Sequence, residues 1–164
     1  MKLLPNEFLG RLKSQIGVTH SFTTPDPLSS GTFRQYFEVV GDFNPVYFDH
    51  EFAKSIGHPR LLAPPTLICE SEQFSDQVAE NNIFSGRICF NGDWYNWLRA
   101  GNAYEFYNPA KIGDVIVTKK IFEDVWLKKG KNGNHIFKQV NIFYTNQNGD
   151  RLAKNEETMF ITLA

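Results

Sequence analysis

The spacing of apolar residues changes partway along this chain. In residues 4–16, Phe8, Leu9, Leu12 and Ile16 recur at helical intervals, and Gly17 ends the run. Residues 18–31 are rich in Pro, Ser and Thr and read as a connecting loop. A second helix is expected to open at Thr32, where Gln35 completes a capping box. Phe33, Tyr36, Phe37 and Val40 then fall on one face, and Gly41 closes the helix. Asp49 caps a further turn through Lys54 that Gly57 stops. Ala63 is held extended by the proline after it, while Pro64 and Pro65 suit the first turn of a helix. Leu67, Ser71, Phe74 and Val78 form one stripe. This predicts a central, mostly buried helix from about Pro64 to about Glu80.

From Gly86 the period becomes that of strands. Residues 86–90, 103–108, 114–127, 135–145 and 151–163 are rich in β-branched and aromatic side chains. Asn132-Gly133 and Asn148-Gly149 separate the last three, a strong hairpin signal. In the strand 135–145, Ile136, Val140 and Ile142 alternate with Phe137, Gln139, Asn141 and Phe143. Both faces are partly apolar, so this strand is expected to be central and covered. Helices followed by an antiparallel meander argue for an α+β fold.

Composition narrows the function. The 164 residues fit a single domain, 1–164, with 41% hydrophobic and 21% charged residues. A net charge of −1 provides no basic field for nucleic acid or anionic lipid. No stretch approaches the ~20 apolar residues of a membrane span. The start, Met-Lys-Leu-Leu-Pro-Asn-Glu, lacks the apolar run of a signal peptide, and Cys69 and Cys89 read as buried thiols in a reducing cytoplasm. Cys69 and Cys89 are too few for a disulfide scaffold, and His20, His50, His58 and His135 are scattered without zinc-like spacing. Neither a metal nor a cofactor is expected. Trp94, Tyr95, Trp97, Tyr104, Phe106 and Tyr107 cluster densely enough to wall a pocket, with Trp94 and Trp97 as candidate substrate contacts.

Four segments carry chemistry. They are Gly41-Asp42-x-Asn44-Pro45-x-Tyr47-x-Asp49, Leu62-Ala63-Pro64-Pro65-Thr66, Tyr104-Glu105-Phe106-Tyr107-Asn108-Pro109 with Gly113-Asp114, and Asn146-x-x-Gly149-Asp150 with Ala153. In this order and spacing the chain resembles the MaoC-type (R)-specific enoyl-thioester hydratases and dehydratases, specifically their N-terminal-type domain, over nearly its whole length. The resemblance implies a hot-dog fold, in which an antiparallel sheet wraps a central helix. It also implies acyl thioesters of coenzyme A or acyl carrier protein as substrates. The expected assembly is a homodimer, or a heterodimer with a second hot-dog subunit. In that family Asp-x4-His holds the water that adds to C3, and a glycine amide at a helix start donates to the thioester oxygen.

Asp42 stands at the family's catalytic carboxylate, but Tyr47 stands at the histidine. A free phenol has a pKa of about 10 against about 6.5 for imidazole, so Tyr47 is a poor base at neutral pH and a possible hydrogen-bond donor. Pro65 stands at the glycine and has no N–H to give. The amides of Thr66 and Leu67 are the remaining donors there. Asn44 and His58, with Arg60 nearby, complete the candidate substrate contacts. Each has a plainer alternative: a cap for Asp42, packing for Tyr47, a turn for Asn44-Pro45, a helix start for Pro64-Pro65, a solvated loop for His58. Three readings follow. One is a substrate-holding subunit whose partner supplies Asp-x4-His. The second is a self-sufficient homodimeric hydratase using Asp42 with Tyr47 or His58. The third is a thioesterase using Glu70 or Glu72 on the central helix.

Overall fold

A computed structural model of the protein describes residues 5–74, 83–130 and 133–163. Three α-helices, α1 (Pro5–Lys13), α2 (Ser30–Val40) and α3 (His50–Ser55), precede most of the sheet. The strands are β1 (Thr19–Thr23), β2 (Arg87–Phe90), β3 (Asp93–Asn96), β4 (Leu98–Phe106), β5 (Ile116–Gly130), β6 (Gly133–Asn146) and β7 (Arg151–Leu163). Five of them form an antiparallel sheet in the order β1-β5-β6-β7-β4, and β2 and β3 form a separate hairpin.

The central strand is β6, as its doubly apolar pattern predicts. Its even-numbered residues from Ile136 to Asn146 are buried. Its odd-numbered face carries an aromatic stack, with Phe137 5.5 Å from Trp126 and 5.6 Å from Phe160 between ring centroids. This second cluster explains the apolar outer face. The β5–β6 and β6–β7 hairpins form where expected, the first pairing as far as Gly130 and Gly133, with Asn132 outside the described residues. Gly133 has φ 128, and a Cβ there would lie 2.9 Å from the Leu163 carbonyl oxygen. At the other turn, Asn146 Oδ1 accepts the amides of Asn148 and Asp150, both at 3.0 Å.

The inner face meets the helices in one core. Phe8 and Leu12 of α1, Phe33 and Phe37 of α2, and Leu67 and Ile68 pack with Phe122, Ile136, Val140 and Ile161 of the sheet. Phe8 also packs, ring tilted, against Phe90 and Tyr95, which anchors the β2–β3 hairpin.

The structure corrects several expectations. Residues 18–31 are not all loop: β1 pairs with β5 as an edge strand, and only Phe22 of its five side chains is buried, so its sequence shows almost no apolar alternation. The N-cap of α2 is Ser29, not Thr32, because Ser29 Oγ accepts the Thr32 amide at 3.1 Å. Strand β4 begins at Leu98 rather than 103; it is exposed along nearly its whole length, so core patterning does not mark its start. The central helix is a 3-10 helix over Pro65–Phe74 rather than an α-helix. Pro64 and Pro65 have no N–H, and Leu67 N–H closes onto the Pro64 carbonyl three residues back at 3.0 Å. The remainder of the predicted helix, including Val78 and Glu80, lies outside the described residues.

Candidate functional site

The site begins where α2 stops. Gly41 adopts φ 74, a left-handed conformation that costs glycine little, and its amide returns to the Phe37 carbonyl at 2.9 Å. The chain reverses there and presents Asp42 at the surface. Asn44 Oδ1 then accepts the Val46 amide at 3.1 Å and caps a single 3-10 turn, Pro45–Tyr47. This turn folds Tyr47 back under α2. Its ring stacks on Phe37 at 6.5 Å, and the residue is 6% exposed.

The Tyr47 hydroxyl donates to Asp42 Oδ2 at 2.9 Å. Burial, followed by the hydrogen bond to Asp42 and its negative charge, pushes the phenol up to about 12. Tyr47 is therefore a proton holder at neutral pH, and it occupies one of the two carboxylate oxygens.

The second segment is tied beside the first. Leu62 N–H donates to the Val46 carbonyl at 3.1 Å, and Ala63 N–H to the Ala110 carbonyl at 2.8 Å. Tyr36 of α2 donates its hydroxyl to Thr66 Oγ1 at 2.8 Å. Pro65 is exposed and lines an apolar groove of about 350 Å³ with Pro64, Ile68, Phe106 and Tyr107. Of the two amides expected to replace the missing glycine donor, Leu67 N–H is already bonded to Pro64. Thr66 N–H lies ahead of the first intrahelical bond.

The other expected contacts are dispersed. His58 is half-buried after α3, with its backbone amide on the Ala53 carbonyl at 2.9 Å, and among the described residues no hydrogen bond joins its ring to Asp42. Arg60 acts as a strut. It donates to the Ile112 carbonyl at 3.0 Å and approaches buried Asp114 Oδ1 at 3.3 Å, an ion pair without hydrogen-bond alignment. Trp94 is 49% exposed on β3 with the Arg87 guanidinium 4.7 Å above its ring. Trp97 is buried, and Lys138 Nζ sits 4.4 Å from its ring centre. The aromatic cluster thus splits between the β2–β3 hairpin and β4, and among the described residues the ring contact to Tyr47 comes from Phe37 and not from either tryptophan.

A second cavity, of about 360 Å³, opens between the 3-10 helix and the inner face of the sheet. Cys69, Glu70, Tyr104, Tyr144, Asn155 and Glu157 are among its walls. Of these, the sequence marks Glu70 as a candidate on the helix, but not Asn155 or Glu157. The signal for them was present: both lie on the register of β7 that is otherwise Ala153, Met159 and Ile161. Lys138 breaks β6 in the same way, between Ile136 and Val140. The Cys69 thiol is pushed up to about 12, chiefly by burial, so it is not a nucleophile at neutral pH. Among the described residues, no group of three His, Cys, Asp or Glu is placed to hold a metal, and no helix is long and apolar enough to cross a membrane.

Known proteins share this sequence and fold. The FAS1-like dehydratase domain region matches residues 14–155. A UPF0336 protein of Streptomyces avermitilis is 39% identical over 125 residues, covering 76% of this chain and 77% of the relative. The fold resembles the (R)-hydratase from A. caviae involved in PHA biosynthesis, with TM-score 0.64, 15% identity, and coverage of 88% of this chain and 94% of that one. It also resembles the truncated HadBC (3R-hydroxyacyl-ACP dehydratase) complex from Mycobacterium tuberculosis, with TM-score 0.66, 16% identity, and coverage of 89% and 96%. The architecture is thus the hot dog that the motifs imply, and the chain belongs to the FAS1-like dehydratase domain family of MaoC-like hot-dog proteins.

Proposed function

We propose that this protein is the substrate-holding subunit of an (R)-specific 2-enoyl-thioester hydratase or 3-hydroxyacyl-thioester dehydratase. A second hot-dog subunit carrying Asp-x4-His supplies the general base. The observation that carries the reading is the hydrogen bond from Tyr47 to Asp42. A buried phenol raised to about 12 replaces the imidazole, and no proton acceptor tuned near neutrality stands at that position. Pro65 adds to the loss, because the amide that would meet the thioester oxygen is missing.

The retained parts favour binding. The groove at Pro65 is apolar, and Thr66 offers an amide at a helix start beside it. The substrate is an acyl thioester of coenzyme A or acyl carrier protein, and the setting is cytoplasmic fatty acid metabolism. Strand β4 lies at one edge of the sheet with Leu98 and Phe106 exposed, which suits pairing with a second hot dog.

One observation supports a second reading, a self-sufficient hydratase. Asp42 is exposed and still has one carboxylate oxygen beyond the Tyr47 bond, so it can hold a water. A restoration series separates the two readings. In steady-state hydration of crotonyl-CoA, Tyr47→His should recover little activity and Tyr47→His with Pro65→Gly more, since residues acting as a unit are not additive. If both variants instead lose activity that the wild type possesses, Tyr47 works as it stands and the self-sufficient reading takes its place.

A further inference from the structure

Beyond β4 the chain meets Pro109, which has no N–H to continue strand pairing. The segment turns instead against residues 61–63. The Ala63 amide donates to the Ala110 carbonyl at 2.8 Å, the Ile112 amide donates to the Leu61 carbonyl at 3.0 Å, and Leu62 faces Lys111 in an antiparallel bridge. These bonds fix Lys111 beside the start of the 3-10 helix. The apolar groove that begins at Pro65 runs past Phe106 and Tyr107 to Asn108 and Pro109. The same Asn108 and Pro109 wall a polar hollow of about 270 Å³, which Lys111, Asp114 and Asp150 also line. Groove and hollow thus meet, and their shared wall leads from an apolar end at Pro65 to a charged end at Lys111.

The charged end has cations to spare. Among the described residues, neither Lys111 Nζ nor the Arg151 guanidinium forms an ion pair. Both carboxylates of the hollow are engaged by other groups. Asp114 Oδ2 accepts the Lys111 backbone amide at 2.9 Å, and its Oδ1 lies 3.3 Å from Arg60. Asp150 Oδ2 accepts Asn146 Nδ2 at 2.9 Å. Arg151 lies over the Tyr107 ring at 4.2 Å. Asn108 Nδ2 donates to the Arg151 carbonyl at 2.8 Å, which leaves Asn108 Oδ1 as an acceptor. Lys111 is half-buried and Arg151 exposed, so neither is sealed from an incoming anion.

We infer that this surface holds the phosphopantetheine arm of the thioester, with the arm's amide chain along the groove and its phosphate on Lys111, supported by Arg151. The inference rests on the acyl-thioester reading above and names the group that the site recognises. Coenzyme A and an acyl carrier protein both present this arm, so the phosphate is their shared chemistry. The lengths agree. The chain rises about 7 Å from Leu62 to Pro64 and about 4 Å more through the 3-10 turn to Thr66. With ~5 Å across the bridge and ~6 Å of lysine side chain, the Lys111 ammonium stands roughly 12–18 Å from the Thr66 amide. From sulfur to phosphorus the arm has about 13 bonds and spans roughly 16 Å when extended. Its amide N–H groups find an acceptor in Asn108 Oδ1, its carbons find the apolar wall at Ile68 and Phe106, and its phosphate makes charge-assisted hydrogen bonds.

The test is calorimetric titration of the full-length protein with crotonyl-pantetheine, crotonyl-phosphopantetheine, crotonyl-CoA and a crotonyl-loaded acyl carrier protein. Crotonyl-phosphopantetheine should bind about tenfold more tightly than crotonyl-pantetheine, the gain from a hydrogen bond to a charged group at a partly exposed site. Lys111→Gln should bring those two affinities together, and Lys111→Arg should restore the gap. Of crotonyl-CoA and the loaded carrier protein, the one that binds names the source of the arm, and Lys111→Gln should weaken it by the same factor. The wild-type comparison stands even if a variant does not fold. Equal affinity for the phosphorylated and unphosphorylated thioesters, or a gap that survives Lys111→Gln, would overturn this inference alone. No binding of any of the four thioesters would overturn the acyl-thioester reading and this inference with it.

Discussion

Replacing Lys138 by methionine should stabilise the protein at neutral pH relative to its behaviour at pH 9. Lys138 is 1% exposed in the middle of β6. Its Nζ donates to the Ile83 carbonyl at 2.6 Å and lies over Trp97. Burial nevertheless dominates. It lowers the ammonium to about 7, against a smaller upward pull from Glu157 and a further downward push from Lys120. The folded state therefore binds fewer protons than the unfolded chain between pH 7 and about 10.5, and stability rises with pH across that window. Each pH unit is worth about 1.4 kcal/mol once the folded-state lysine is neutral. The group is half-titrated at pH 7, so the gain from pH 7 to pH 9 is about 2 kcal/mol. Above pH 9 the raised Cys69 thiol acts in the opposite sense, since its folded form keeps a proton that the unfolded thiol loses. Methionine keeps the length and removes the charge, at the cost of leaving the Ile83 carbonyl without its donor, about 1 kcal/mol. Urea unfolding of both proteins at pH 7 and pH 9, at one fixed protein concentration, gives the comparison. The wild type should gain the 2 kcal/mol and Lys138→Met should not. Parallel pH profiles for the two proteins would refute the reasoning.

Three further outcomes follow from the fold. Phe122→Ala, at a fully buried position where sheet and helices meet, should cost about 3–5 kcal/mol in chemical unfolding. Asp49→Ala removes both bonds that cap α3, to the Glu51 and Phe52 amides at 2.9 and 3.0 Å, and should cost about 1 kcal/mol by the same assay. Light scattering at micromolar concentration should give the mass of a dimer, and a monomer alone would count against pairing through β4.

The sequence was most legible where one residue type does one local job. Gly41, Asp49 and the turn at Asn146–Asp150 mark positions set by backbone conformation and nearby amides, and all appear where predicted. The central place of β6 followed from apolar residues on both faces. Strand β1 is not legible in the sequence because an edge strand with one buried side chain carries no alternation. The Asp42–Tyr47 contact was legible only through the resemblance, since nothing in their spacing alone brings a phenol onto a carboxylate five residues away. The polar cavity was the least visible feature. Lys138, Asn155 and Glu157 are ordinary polar residues within long strands, and their meaning depends on which face each strand turns inward and on which strand lies beside it. Register over such distances is a tertiary property.

The most direct measurement for the central claim is steady-state hydration of crotonyl-CoA by the purified wild-type protein, with binding of the same thioester measured in parallel. Loss of the general base lowers turnover by a factor of about 10²–10⁴, and loss of one oxyanion donor by about 10²–10³. The account therefore predicts saturable binding with turnover at least about a hundredfold below that of an Asp-x4-His hydratase assayed alongside. Turnover equal to that enzyme, abolished by Asp42→Ala, would contradict it.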